Sequence, residues 1–197
     1  MRSLETRLRD AIDNPGTASS DFDLNTDVVL PKERKLRPAG VLMLFSELNG
    51  EAQVLLTKRS SALKHHPGQI AFPGGKQDAL DTDVTACALR EAQEEVGLPS
   101  SHAEVLGHLP KHETVTGFLV TPVLALLQTE FLVVPEFAEV DDVFWVPLKH
   151  VQYPGNFTVQ TRRWQGRARK YYAIPYGPYY IWGATARMLR GFAEALA

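Results

Sequence analysis

The chain, 197 residues long, is predicted to fold as a layered α/β domain. Three observations point that way. Short apolar runs with strand character recur at 39–46, 52–58, 103–109, 118–127 and 142–146. Helical periodicities stand at both ends of the chain and once in its middle. Neither internal repeats nor low-complexity tracts interrupt the series. Strands with interspersed helices bury their apolar faces by layering helices on a sheet.

The elements follow in order. Leu4, Leu8, Ala11 and Ile12 recur at the spacing of one helix face, and Asn14-Pro15-Gly16 stops that helix. Residues 17–37 are polar and loop-like; they read as an arm laid over the domain or as a dimer contact. The runs 39–46 and 52–58 flank Asn49-Gly50, a strong short-range hairpin signal. A second hairpin is expected between 156–164 and 168–174, across Gln165-Gly166. The last helix, 182–196, places Ala186, Leu189, Phe192, Ala193 and Leu196 on one apolar side.

Composition excludes several classes of function. A net charge of −2 provides no overall basic field to draw the protein to nucleic acid or anionic membranes. No alternation of basic and aromatic residues suggests an RNA platform. No run of 18 apolar residues occurs, so no membrane span is expected. The lone Cys87 excludes an intramolecular disulfide, fits a reducing compartment and reads as a small core residue. The first residues lack the apolar segment of a secretory signal, so a cytoplasmic location is expected. Trp145, Trp164, Tyr171, Tyr172, Tyr179 and Tyr180 are assigned to the core or to a dimer contact rather than to a base-stacking wall.

The chemistry concentrates in residues 90–98, Arg-Glu-Ala-Gln-Glu-Glu-Val-Gly-Leu. At about 100° per residue, Glu91, Glu94 and Glu95 fall on one helix face. Like charges so placed repel one another, and a divalent cation is the obvious compensation, because Mg²⁺ accepts carboxylates, water and phosphate. On spacing alone the same acids also read as a solvated helix face. Arg90, four residues before Glu94, could hold that carboxylate. Ala88, Leu89, Ala92 and Val96 form an adjacent apolar arc toward the core, and Gly97 is the expected C-cap.

The stretch Gly75–Leu98 resembles the Nudix box. Arg90, Glu91, Glu94, Glu95, Gly97 and Leu98 match it, with Ala92 at its first aliphatic position. Asp81 stands where that family usually has Glu, and eight residues rather than seven separate it from Arg90. Upstream, LLTKRSSALKHHPGQIAFPGG at 55–75 resembles the signature of the coenzyme A pyrophosphatase branch, which also carries the extra residue in its box. Thr116-Gly117-Phe118, Val120-Thr121-Pro122 and Ile181-Trp182-Gly183 are similar to further segments of that branch, so the resemblance spans roughly 36–190.

The resemblance implies a Nudix-type α/β/α sandwich with a mixed β-sheet at 36–197, preceded by an N-terminal helix and arm at 1–35. It implies Mg²⁺ or Mn²⁺ held by Glu91 and Glu95, with Glu94 as a further ligand and Arg90 beside them. The base that takes the proton from water stays open between Glu91 and Glu139. Arg59, His66, Gln69, Phe72, Gly74 and Gly75 are the expected substrate contacts. Arg59 suits phosphate bidentately, and Pro73-Gly74-Gly75 lets the backbone approach oxyanions. The implied reaction is hydrolysis of a small nucleotide substrate of coenzyme A type. Another nucleoside diphosphate derivative, such as ADP-ribose, and a non-catalytic nucleotide sensor are the alternatives. The arm and the aromatic residues are features that a homodimer would use.

Overall fold

The computed structural model describes residues 2–31, 33–47, 50–164 and 166–197. Asn49 and Gln165, half of each expected turn pair, lie outside the described residues. The chain opens with α1 (Leu4–Asp13), capped by the Ser3 hydroxyl, which accepts the Thr6 N–H. Then come β1 (Ser19–Ser20), β2 (Arg37–Ser46), β3 (Gln53–Arg59), β4 (Ile70–Ala71), β5 (Gly74–Lys76) and α2 (Val84–Val96). The second half holds β6 (Ala103–His108), β7 (His112–Glu113), β8 (Phe118–Leu127), β9 (Val140–Pro147) and α3 (Leu148–Val151). It ends with β10 (Thr158–Trp164), β11 (Arg167–Tyr176), β12 (Tyr179–Trp182) and α4 (Ala184–Ala195).

Among the described residues β1–β9 form one mixed sheet and β10–β12 an antiparallel one. Alternate side chains of the central strands point to opposite faces, and each face has its own apolar cluster. Leu42, Leu44, Leu55, Val123 and Ala125 pack with Ala88, Ala92 and Val96 of α2. Met43, Phe45, Val54, Leu56 and Leu124 pack on the other side with Leu4 and Leu8 of α1 and Leu189 and Phe192 of α4. The Phe45 and Phe192 rings meet at 4.9 Å; removing either ring costs about 3–5 kcal/mol by the usual Phe→Ala range. The result is the expected helix–sheet–helix sandwich.

The first hairpin departs from expectation in a useful way. β2 and β3 pair only at Phe45↔Val54 and Ser46↔Gln53, then splay apart. β2 runs parallel to β8 from Arg37↔Phe118 to Phe45↔Leu126, while β3 pairs with β9. Into the gap enters the segment 70–76: β4 pairs with β3 at Thr57↔Ala71, and β5 pairs with β2 at Gly40↔Gly75. The splay therefore delivers Gly74 and Gly75 beneath α2.

The arm lies over its own domain. Ser19 and Asp21 donate backbone N–H groups to Lys111 and Glu113, Asn25 brackets the backbone of Lys170 through its amide, and Asp23 pairs with Arg187 at 2.8 Å. The last helix begins at Ala184 rather than at 182: Trp182 belongs to β12, and Gly183, at φ 66°, turns the chain from strand to helix. Among the described residues, no helix is long and apolar enough to cross a membrane.

Candidate active site

α2 carries the acids because both of its ends are fixed. Asp83 caps the N-terminus, accepting the Ala86 N–H at 2.8 Å, and Gly97 closes the other end in the left-handed region at φ 74°. The exposed carbonyls of the last turn are satisfied by the segment before β9. Val134 and Glu136 donate N–H groups to Val96 and Glu95 at 3.0 Å each. The apolar arc of Ala88, Ala92 and Val96 is fully buried against the sheet. That docking grades the three glutamates: their side chains are 3% exposed at Glu95, 16% at Glu91 and 58% at Glu94.

Arg90 ties the group together. Its Nε and Nη2 grip the two oxygens of Asp81 at 2.9 Å each, and its Nη1 donates to Glu91 and to Glu94, both at 2.9 Å. Asp81 also accepts the Asp78 N–H at 2.8 Å. The Arg90 guanidinium, followed by that N–H, holds the Asp81 carboxyl down to about 2. Asp81 thus reaches Arg90 despite the extra residue between them. Cys87 is buried, its thiol 3.5 Å from the Gly75 carbonyl and pushed up by burial, as a core residue is.

Glu95 accepts the Gly74 N–H at 3.2 Å and lies 3.9 Å from the Arg59 guanidinium. Burial pushes its carboxyl up to about 8; Gly74 and Arg59 oppose the rise, and the charges of Glu91 and Glu139 add to it. Burial also raises Glu91, whose carboxylate packs against Gly75; a Cβ there would stand 2.6 Å from it, so a larger residue would push the carboxylate out of place. Glu139 is exposed, and its backbone carbonyl takes the Ser60 N–H at 2.8 Å, which fixes it beside the end of β3. Its charge acts on both Glu91 and Glu95.

Among the described residues no three His, Cys, Asp or Glu side chains already converge as a cation cage. The donor chemistry fits a hard divalent ion nonetheless. Glu91 and Glu95 are buried carboxylates that repel one another, and the Arg59 guanidinium stops short of hydrogen-bond distance. Glu94 points to Arg90 instead.

A cleft of about 630 Å³ borders this site at Gly74. Of the predicted substrate contacts, His66, Gln69, Phe72 and Gly74 line it; Arg59 sits behind them against Glu95, and Gly75 lies under Glu91. Phe72 is 2% exposed and belongs to the core cluster, so it forms floor rather than wall. His66 stands at φ 55°, and partial burial of its ring, followed by the charge of Arg59, lowers its pKa. The far wall comes from elements that the sequence reading treated as structural: Arg162, Arg169, Tyr171 and Trp182. Their one signal was the crowding of Arg162, Arg163, Arg167 and Arg169 into one short stretch before Tyr171. The other aromatics divide between roles. Tyr179 stacks on Phe144 at 3.5 Å and donates to Asp142 at 2.7 Å, and Trp145 packs against the α2-side core.

A NUDIX domain model matches residues 36–169. The uncharacterized Nudix hydrolase NudL of Escherichia coli O7:K1 is 41% identical over 140 residues, covering 71% of this chain and 73% of that protein. NudL of Citrobacter koseri is 37% identical over 166 residues, covering 84% and 79%. The structure of a C. elegans Ap4A hydrolase binary complex superposes with a TM-score of 0.50 at 22% identity, over 56% of this chain and 80% of that one; it shows the shared fold alone. The chain belongs to the Nudix hydrolase family, enzymes that cleave pyrophosphate bonds in small nucleotide derivatives and generally use divalent metal ions.

Proposed function

We propose that this protein is a metal-dependent pyrophosphohydrolase of coenzyme A or its derivatives, releasing adenosine 3′,5′-bisphosphate and 4′-phosphopantetheine or its acyl form. One observation carries the reading. The segment 66–74, which belongs to the coenzyme A-type signature, lines the cleft with His66, Gln69 and Phe72 and then hands the Gly74 N–H to Glu95. The expected substrate contacts and the backbone group that meets the acidic site thus lie on one short piece of chain.

Mg²⁺ or Mn²⁺ at Glu91 and Glu95, with Glu94 as a further ligand, would neutralise the pyrophosphate and make a water more acidic. This chain's residues supply the rest. Arg59, already beside Glu95, offers its guanidinium fork to a phosphate. Glycines at 74 and 75 keep the approach open. Glu139 or Glu91 takes the proton as water oxygen bonds to phosphorus and the bridging P–O bond breaks. Arg90, clamped by Asp81, keeps Glu91 in place through that step.

The test is incubation with Mg²⁺ and coenzyme A, ADP-ribose or nucleoside triphosphates, with products identified by mass. Coenzyme A should be cut within its pyrophosphate and faster than the others. Good turnover of another substrate with coenzyme A left intact would overturn the reading, and binding without turnover would make the protein a sensor.

A further inference from the structure

The second wall of the cleft has a charge problem of its own. In the β10–β11 pairing Arg162 stands directly opposite Arg169, and Gln160 opposite Tyr171; β12 then places Trp182 opposite Ala173. Because side chains alternate along a strand, Arg162, Arg169, Tyr171 and Trp182 share one face, and all four line the cleft. Ring contacts agree: the Arg162 guanidinium lies 5.3 Å from the Trp182 centroid, and Trp182 meets Tyr171 edge-on at 5.1 Å.

Like charges directly opposite one another weaken an antiparallel pair. Among the described residues Arg162 has no acidic partner. The acid in the cleft lining, Asp21, is committed to His112 at 3.2 Å and to the Val115 N–H at 2.8 Å. A guanidinium laid over an aromatic ring is held in orientation while its N–H edge stays open, which suits a phosphate.

We propose that Arg162, held over Trp182, and Arg169, held over Phe22, form a second phosphate subsite, separate from the acidic site that handles the pyrophosphate. It takes a phosphomonoester on the substrate's nucleoside. This inference rests on the coenzyme A reading, since that substrate carries a ribose 3′-phosphate besides its pyrophosphate. The subsite would distinguish such a substrate from dinucleotide-like compounds that lack the extra phosphate.

The experiment is a calorimetric titration of wild type, R162Q and R162K with adenosine 3′,5′-bisphosphate and with adenosine 5′-monophosphate, which differ only in the 3′-phosphate. Wild type should bind the bisphosphate at least about tenfold more tightly, the size of one charge-assisted hydrogen bond set. R162Q should bring that ratio near one, and R162K should keep part of it, because Lys offers charge without the fork. Removal of the like-charge contact should leave R162Q melting at or above wild type. Equal affinities in wild type, or an undiminished ratio in R162Q, would overturn the subsite. A melt of R162Q far below wild type would do so as well, by making Arg162 structural. If the ratio holds but coenzyme A is not hydrolysed, the functional reading fails and the subsite stands; hydrolysis without the ratio is the reverse.

Discussion

The two walls of the cleft are built on opposite terms. The acidic wall is one helix whose carboxylates are driven inward by an apolar arc, so that Glu95 is 3% exposed and raised to about 8. The basic wall is an open three-stranded sheet whose arginines face each other across a pair of strands, with Arg162 exposed. One wall holds negative charge that burial makes costly; the other holds positive charge that crowding makes costly. Each is therefore incomplete alone. A cation at the first and a phosphate at the second would relieve both, and a metal-bound nucleotide carries the two together.

The largest test of this contrast is Glu95→Gln. Gln can still accept the Gly74 N–H but cannot carry charge. Turnover should fall about a thousandfold, which corresponds to roughly 4 kcal/mol of lost transition-state stabilisation. Above about pH 8, where Glu95 is ionised, the metal-free variant should melt higher than wild type, because a buried charge has been removed. A variant within tenfold of wild-type turnover would remove Glu95 from the metal site and dissolve the contrast between the walls.

Asp81 comes next. Its fork with Arg90 positions both Glu91 and Glu94 without touching substrate, so Asp81→Asn should cost about 10–100-fold in turnover, as losses of supporting contacts at metal sites do. The cost should appear in kcat and in metal affinity and leave KM nearly alone. Because Arg90 holds the Asp81 carboxyl down to about 2, the fork's contribution to stability is present above the ordinary carboxylate range and is lost only as pH falls through about 2. Equal losses in kcat and KM for Asp81→Asn would mean that Asp81 shapes the substrate cleft instead.

These two walls also differ in how far sequence reveals them. The acids, Arg90 and Gly97 lie within nine residues, so helical geometry alone sets their faces, and the strands at 103–109 and 118–127 were legible from runs of apolar residues. Graded burial was not legible, because it depends on how α2 docks on Leu42, Leu44 and Val123 from other strands. Nor was the splay of the first hairpin: Asn49-Gly50 signals a turn, whereas the partners that part β2 from β3 are β8 and β9, far along the chain. The basic wall needed register. Arg162 and Arg169 meet only because that hairpin pairs them, and Trp182 joins from a strand that the periodicity had assigned to the last helix.

A smaller effect concerns protons. Glu95 is raised from its ordinary 4.5 to about 8 by burial, so between those values the folded protein holds a proton that the unfolded chain has lost. Metal-free stability should therefore be highest near and below pH 4.5, fall as pH rises toward about 8, and level off above it. A cation needs the carboxylate, so Mg²⁺ or Mn²⁺ should bind about tenfold more weakly for each unit below pH 8 and release one proton on binding. Calorimetry in buffers of different ionisation enthalpy counts that proton. Metal uptake at pH 6.5 with no proton released would exclude Glu95 as a ligand.

The smallest expected effect separates the glutamates from each other. Glu94 shares the Arg90 Nη1 with Glu91, yet its side chain is 58% exposed. An exposed i,i+4 pair is worth only about 0.3–0.5 kcal/mol, so Glu94→Gln should leave the melting temperature almost unmoved. As a further ligand on the solvent side, Glu94 should cost turnover no more than about tenfold, two orders less than Glu95. Arg90 would keep its fork on Asp81 and its bond to Glu91, so the inner pair stays in place. A loss as large as that of Glu95→Gln would show that Glu94 leaves Arg90 to hold the cation in the working enzyme. The acidic wall would then be a site that assembles on binding rather than one that burial has already set.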